Sequence, residues 1–186
     1  MHCPRPTFPT AALAAIAALL TTASTQAGLT GSTVNVSAYY PDSSSVYQSG
    51  GNTIVSGGVE YPTGSFSSYN PSWQVDVNDT QILFEWTGNG DGSYGVASFN
   101  GWVLDVMSGP TIVSATANGA SGFYPVGIQI VGGNQLFVNF SGVLYPVGTT
   151  SIIDITTVPE PSLGAMLICG SGLLLTAWMR RCRGRH

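Results

Sequence analysis

Between residues 28 and 158 the side chains equipped for acid–base chemistry or for holding a hard cation are eight carboxylates: Asp42, Glu60, Asp76, Asp79, Glu85, Asp91, Asp105 and Asp154. The same stretch contains no Lys, Arg, His or Cys. Thiol and imidazole catalysis, disulfides and Cys/His zinc sites are excluded there because the groups are missing. Eight negative charges without a single cation give phosphates nothing to bind, which excludes nucleic acid as a partner.

Paired carboxylates support glycoside hydrolysis, and Glu60, Glu85 and Asp105 are the candidates by type. Each has an aromatic nearby (Tyr61, Trp86, Trp102) of the kind a sugar site uses. No acidic pair stands at E-x-E or D-x-E spacing, however, and Glu85 alternates with Ile82, Phe84 and Trp86 as a solvent-facing strand residue does. Calcium suits the residues better, since a hard cation takes oxygen ligands and this stretch offers little else. Asp76, Asn78 and Asp79 fall within four residues, and Asp91 lies in the oxygen-rich run Gly88-Asn89-Gly90-Asp91-Gly92. Neither matches an EF-hand, and Asn-Gly and Asp-Gly are also ordinary hairpin residues. Calcium is the one cofactor left open; otherwise none is expected.

The elements that must position these groups read as β throughout. Turn residues recur at short intervals, and strong helix formers are scarce. Ten runs rich in Val, Ile, Thr and aromatics lie between the turns: 33–40, 53–59, 73–77, 80–87, 94–99, 102–107, 111–117, 124–131, 135–140 and 151–156. They predict an antiparallel, jelly-roll-like β-sandwich over residues 28–157. Alternation places Val34, Val36 and Ala38, then Val75 and Val77, then Ile82, Phe84 and Trp86, on the core side. Trp73, Trp86 and Trp102 are expected in the core, and Asp105 on a half-buried face with a hydrogen-bond partner. Tyr-Pro-x-Gly occurs at Tyr61, Tyr124 and Tyr145. We read it as a strand-end turn with Pro second and Gly fourth.

The ends of the chain differ in kind. All five arginines, both histidines and all three cysteines are there. Arg5 precedes an apolar run of ten, residues 11–20, and then small residues, the order of a secretory signal peptide over 1–27. Near the other end, residues 162–179 carry no charge and reach about 27 Å as a helix. Trp178 stands at an interfacial position, and Arg180, Arg181, Arg183 and Arg185 hold the basic tail on the cytoplasmic side. The expected arrangement is an exported domain with a membrane helix at 163–179 and a basic tail at 180–186.

Immediately before that helix stands Val158-Pro159-Glu160-Pro161-Ser162. Pro159 and Pro161 keep the tether out of helix and sheet interior alike. This VPEPS segment, the apolar stretch and the terminal Arg cluster together resemble a PEP-CTERM sorting signal, over residues 158–186. The resemblance implies recognition by an exosortase, a transient membrane anchor, and delivery to the cell surface or extracellular matrix of an exopolysaccharide-making Gram-negative bacterium. The expectation is a non-catalytic structural or adhesive protein of the envelope or biofilm, with exopolysaccharide as a further partner that divalent cations can bridge to its carboxylates. A calcium-assisted carbohydrate-binding module is the alternative, and a carboxylate-pair glycosidase a weaker one.

Overall fold

Side chains of a strand alternate between two faces, so a strand with one apolar set must lay that set against another sheet. The computed structural model describes residues 28–66 and 72–158. The expected leader at 1–27, Pro159 to Ser162 of the tail motif (Glu160 and Pro161 included), the span at 163–179 with Trp178, and Arg180, Arg181, Arg183 and Arg185 lie outside the described residues. Among the described residues no helix is long and apolar enough to cross a membrane.

Eleven strands follow one another: β1 (Thr33–Tyr39), β2 (Val46–Ile54), β3 (Trp73–Val77), β4 (Gln81–Trp86), β5 (Gly92–Ser93), β6 (Gly101–Ser108), β7 (Thr111–Ala117), β8 (Gly127–Val131), β9 (Gln135–Asn139), β10 (Leu144–Tyr145) and β11 (Thr150–Val158). They form a five-stranded sheet in the order β2-β1-β6-β9-β8, a four-stranded sheet in the order β3-β4-β11-β7, and a two-stranded β10-β5 ribbon. Every pairing is antiparallel. The two larger sheets pack into the expected β-sandwich.

Between the sheets lie the alternating sets read from the sequence. Val34, Val36, Ala38, Trp102, Leu104, Val106, Leu136 and Val138 come from the five-stranded sheet. Trp73, Val75, Val77, Ile82, Phe84, Ile112, Ile153 and Ile155 come from the other. Trp73 and Trp102 are buried, and Trp86 is half-buried against the same core. Aromatic rings do the filling that leucines do elsewhere. The Trp73 ring lies 5.0 Å from Tyr145, 5.3 Å from Trp86, 5.7 Å from Tyr94 and 5.8 Å from Trp102 between centroids, within the range of favourable edge and tilted contacts.

Tyr61 ties the two sheets together. Its backbone exchanges hydrogen bonds with Val75 of β3, at 3.0 and 2.9 Å. Its side chain crosses the core, where its hydroxyl accepts from the Val36 N–H at 3.0 Å and faces the Gly51 and Val34 carbonyls at 2.9 and 3.1 Å. The register of β1 against β2 shifts between Asn35 and Ser37, so Val36 is skipped by its neighbour and the phenol supplies the missing partner. Gly50 makes room for the ring: a Cβ there would fall 2.5 Å from Tyr61 Cδ1.

Three expected strands need correction. The second strand is β2, 46–54 rather than 53–59, because the Gly50-Gly51 pair resembles a turn in sequence but lies inside the strand, with Gly51 at φ +79°. Residues 94–99 form a loop. Its backbone is satisfied by a side chain, since the Ser141 hydroxyl accepts from the Ala97 N–H and donates to the Ala97 carbonyl, both at 2.8 Å. The eighth run begins as a strand only at Gly127.

The Tyr-Pro-x-Gly turn is shifted by one residue from its expected frame. Ser65 N–H donates to the Pro62 carbonyl and Thr149 N–H to the Pro146 carbonyl, so Pro is first and Gly third. Gly64 and Gly148 then take φ of +92° and +69°, which the third position of a type II turn requires. The copy at Tyr124 has no such glycine, and Gly127 opens β8 instead.

Candidate functional site

The outward parity of the five-stranded sheet carries a second organised surface. Cross-strand partners share a face, so the register gives its rows directly. One row runs Asn52, Asn35, Asp105, Gln135, Val131, and the next Ser49, Ser37, Val103, Phe137, Gln129. A third runs Val46, Tyr39, Gly101, Asn139, Gly127. The first row is polar and internally bonded. Asn35 Nδ2 donates to Asn52 Oδ1 at 3.2 Å, Ser37 and Ser49 hydroxyls donate to Asn35 Oδ1, and Gln135 Nε2 donates to Asp105 Oδ1 at 2.6 Å.

Beside it stands an aromatic trio separate from the core. Tyr39, Phe99 and Phe137 meet edge to face, with centroids 5.9 to 6.4 Å apart. Burial, and secondarily the Asp105 charge, raise the Tyr39 hydroxyl above its ordinary pKa, so it is a neutral phenol at physiological pH. Phe99 reaches the trio from the loop 94–100, which is fastened at several points. Phe99 N–H and the Ser98 hydroxyl both donate to the Pro41 carbonyl. Asn139 Oδ1 accepts from the backbone of Asn100 and Ser141, at 3.1 and 3.0 Å.

Between this loop, β9 and the edge strand β8 is a hollow of about 420 Å³ lined by Ser43, Ser98, Phe99, Gly127, Ile128, Gln129, Val131, Phe137 and Asn139. No lining residue is charged. Asn139 spends its amide on the loop, whereas the exposed Gln129 amide makes no hydrogen bond among the described residues. On the far side of the same loop a second depression, about 330 Å³, includes Tyr40, Tyr47, Gly95 and Asn100. The exposed Tyr40 and Tyr47 rings meet there edge to face at 6.4 Å.

The carboxylates take part in the hydrogen bonding of the fold. Each of the eight accepts a hydrogen bond from inside the fold. Glu60 caps the Ser56 and Val77 N–H groups at 2.7 and 2.8 Å, and Glu85 accepts from the Gln74 amide across the β3–β4 pair. Asp154 is bracketed by Gln81 and Asn118 at 2.7 and 2.8 Å. Asp42 accepts from the backbone N–H and hydroxyl of Ser44, which hold its pKa below the ordinary value. Asp105 lies as expected, half-buried and bonded. Glu85 and Asp105 stand on opposite outer faces of the sandwich, so the structure does not bring these two glycosidase candidates together.

Of the calcium candidates, Asp76 and Asn78 are neighbours, with Asn78 Nδ2 donating to Asp76 Oδ2 at 3.1 Å. Asp79 turns away to the Thr30 N–H at 2.7 Å, and that bonding lowers its pKa. Asp91 is beyond the other end of β4, accepting from the Val147 N–H at 2.9 Å. Among the described residues no three His, Cys, Asp or Glu side chains cluster as metal ligands would. Val158, first residue of the expected sorting motif, is the last residue of β11 and pairs with Thr111.

Sequence reasoning missed the hollow. Its signal was present in the alternation Gln135, Phe137, Asn139, but Phe137 is an ordinary core residue by type, and only the register gives it to the outer face. Comparison of this chain with protein-family models, with curated proteins and with solved structures finds no match.

Proposed function

We propose that this protein is an exported, non-catalytic component of a bacterial envelope or exopolysaccharide matrix, sorted through its VPEPS tail by an exosortase. The observation that carries the reading is the junction at Val158. The last ladder pair of β11 is Val158 with Thr111, and the chain then enters Pro159-Glu160-Pro161. A proline has no N–H for a ladder, so the sequence from Pro159 onward is unsuited to continue β11, which favours a segment that a membrane-embedded processing enzyme can engage. The basic tail beyond residues 163–179 fixes orientation, with the sandwich on the exported side.

The bonding of the carboxylates supports a structural role for the domain. Groups that cap backbone N–H atoms and brace cross-strand amides contribute to folding, and the two acids of the outer faces are too far apart to share a substrate bond. Intact-mass measurement of the native protein, taken separately from inner membrane and from extracellular matrix, tests the proposal. The expected matrix form begins near Gly28 and ends near Pro159. An uncut tail found only in the inner membrane would overturn it.

A further inference from the structure

We infer that the hollow between β8, β9 and the loop 94–100 binds a segment of a neutral polysaccharide. The inference rests on the matrix reading for the source of the polymer, and on the hollow itself for the chemistry. At about 420 Å³ it falls toward the lower end of the roughly 300–1,000 Å³ typical of small-ligand sites, enough for a sugar unit rather than a protein segment. Half-buried Phe137 and exposed Val131 supply an apolar wall, with the buried Phe99 ring behind it, which suits the C–H face of a pyranose. Ser43 supplies a hydroxyl, the Ser98 hydroxyl, whose proton goes to Pro41, can still accept, and Gln129 supplies an amide with both donors and an acceptor unspent among the described residues.

Charge selects among glycans. Residues 28–158 hold eight carboxylates and no cation, so a uronate, sulfate or phosphate chain meets repulsion with no compensating pair. A neutral chain meets none. The loop 94–100 also makes the hollow a fixed shape, because Phe99, Ser98, Ala97 and Asn100 are each held by hydrogen bonds to Pro41, Ser141 or Asn139. A preformed site loses little on ordering. Tyr40 and Tyr47, on the other side of that loop, give a longer chain a second place to rest.

The test is calorimetric titration of the full chain, held in a sugar-free detergent, with cellohexaose, laminarihexaose, maltohexaose and a hexamannuronate. At least one neutral hexamer is expected to bind with Kd below about 1 mM. Gln129→Ala should weaken that binding about fivefold or more without moving the unfolding midpoint, since the residue is exposed and makes no internal bond. Gln74→Ala, on the outer face of the other sheet, should leave it unchanged. Absence of neutral binding at about 10 mM overturns the inference. So does binding that Gln129→Ala leaves intact or Gln74→Ala weakens equally, or a hexamannuronate that binds as tightly as the neutral hexamers. None of these outcomes bears on tail processing, which the mass measurement decides separately.

Discussion

The phenolic oxygen of Tyr61 stands 3.0 Å from the backbone nitrogen of Val36, at one of the two places where the register of β2 against β1 shifts. Both groups are buried, so neither has water as an alternative. Tyr61→Phe should destabilise the domain by about 1–3 kcal/mol, the cost of leaving a buried donor unpaired. Urea unfolding followed by tryptophan fluorescence measures this, and a change below the error of extrapolation would show that the bulge finds another partner.

The same hydroxyl gives the domain an alkaline limit. Burial, the largest cause, raises its pKa from 10.0 to about 12. The unfolded chain therefore releases this proton first, and stability that is complete below pH 10 falls as pH rises through about 12. Burial also raises Tyr94, whose hydroxyl accepts from Trp102 Nε1 at 2.7 Å, so it acts in the same direction. Stability measured between pH 9 and 12 should decline, and decline less steeply in Tyr61→Phe.

Gly50 tests the fit around that ring. Gly50→Ala should cost about 1–3 kcal/mol by forcing a Cβ against Tyr61. In a Tyr61→Ala background the overlap is gone, and the penalty should drop below about 1 kcal/mol. An equal penalty in both backgrounds would place its origin in the backbone.

Ser141 fastens the loop beside the hollow by bonding both polar groups of Ala97. Ser141→Ala should leave global stability within about 1–2 kcal/mol of the parent while speeding amide exchange across 94–100. Exchange that stays slow would show the Pro41 and Asn139 bonds to be sufficient.

Ser151 offers the opposite sign. It is fully buried on the core side of β11, opposite Phe84, and its hydroxyl has no hydrogen-bond partner among the described residues. Removing an unpaired polar atom from an apolar site should be neutral or stabilising, so Ser151→Ala is expected to gain up to about 1 kcal/mol. A loss comparable to a core truncation would contradict this.

Much of the sandwich was legible because burial on one face imposes a period of two. Val34, Val36 and Ala38 show it, as do Val75 and Val77, and those strands lie where alternation put them. Legibility failed where side-chain bonds replaced the ladder. Tyr94 and Phe99 have the composition of a strand, but they are ends of a loop held by Ser141, Asn139 and Pro41. Gly50 and Gly51 hid β2, because the reason for the first is the ring of Tyr61, far along the chain, and for the second a φ of +79°. The hollow was hidden for a related reason. An aromatic at alternating spacing reads as core until register decides which face is which, and for Phe137 that register is its pairing with Val103 and Gln129.

The position of β11 has a mechanical consequence. It is an interior strand, bonded to β4 over residues 150–154 and to β7 over 153–158. Antiparallel ladder bonds run perpendicular to the strand. A pull transmitted along the chain from Pro159 therefore loads them sideways and together, as shear across two seams, instead of peeling them one at a time. The β-sheet is thus oriented to bear tension applied at the end of β11, where Val158 pairs with Thr111.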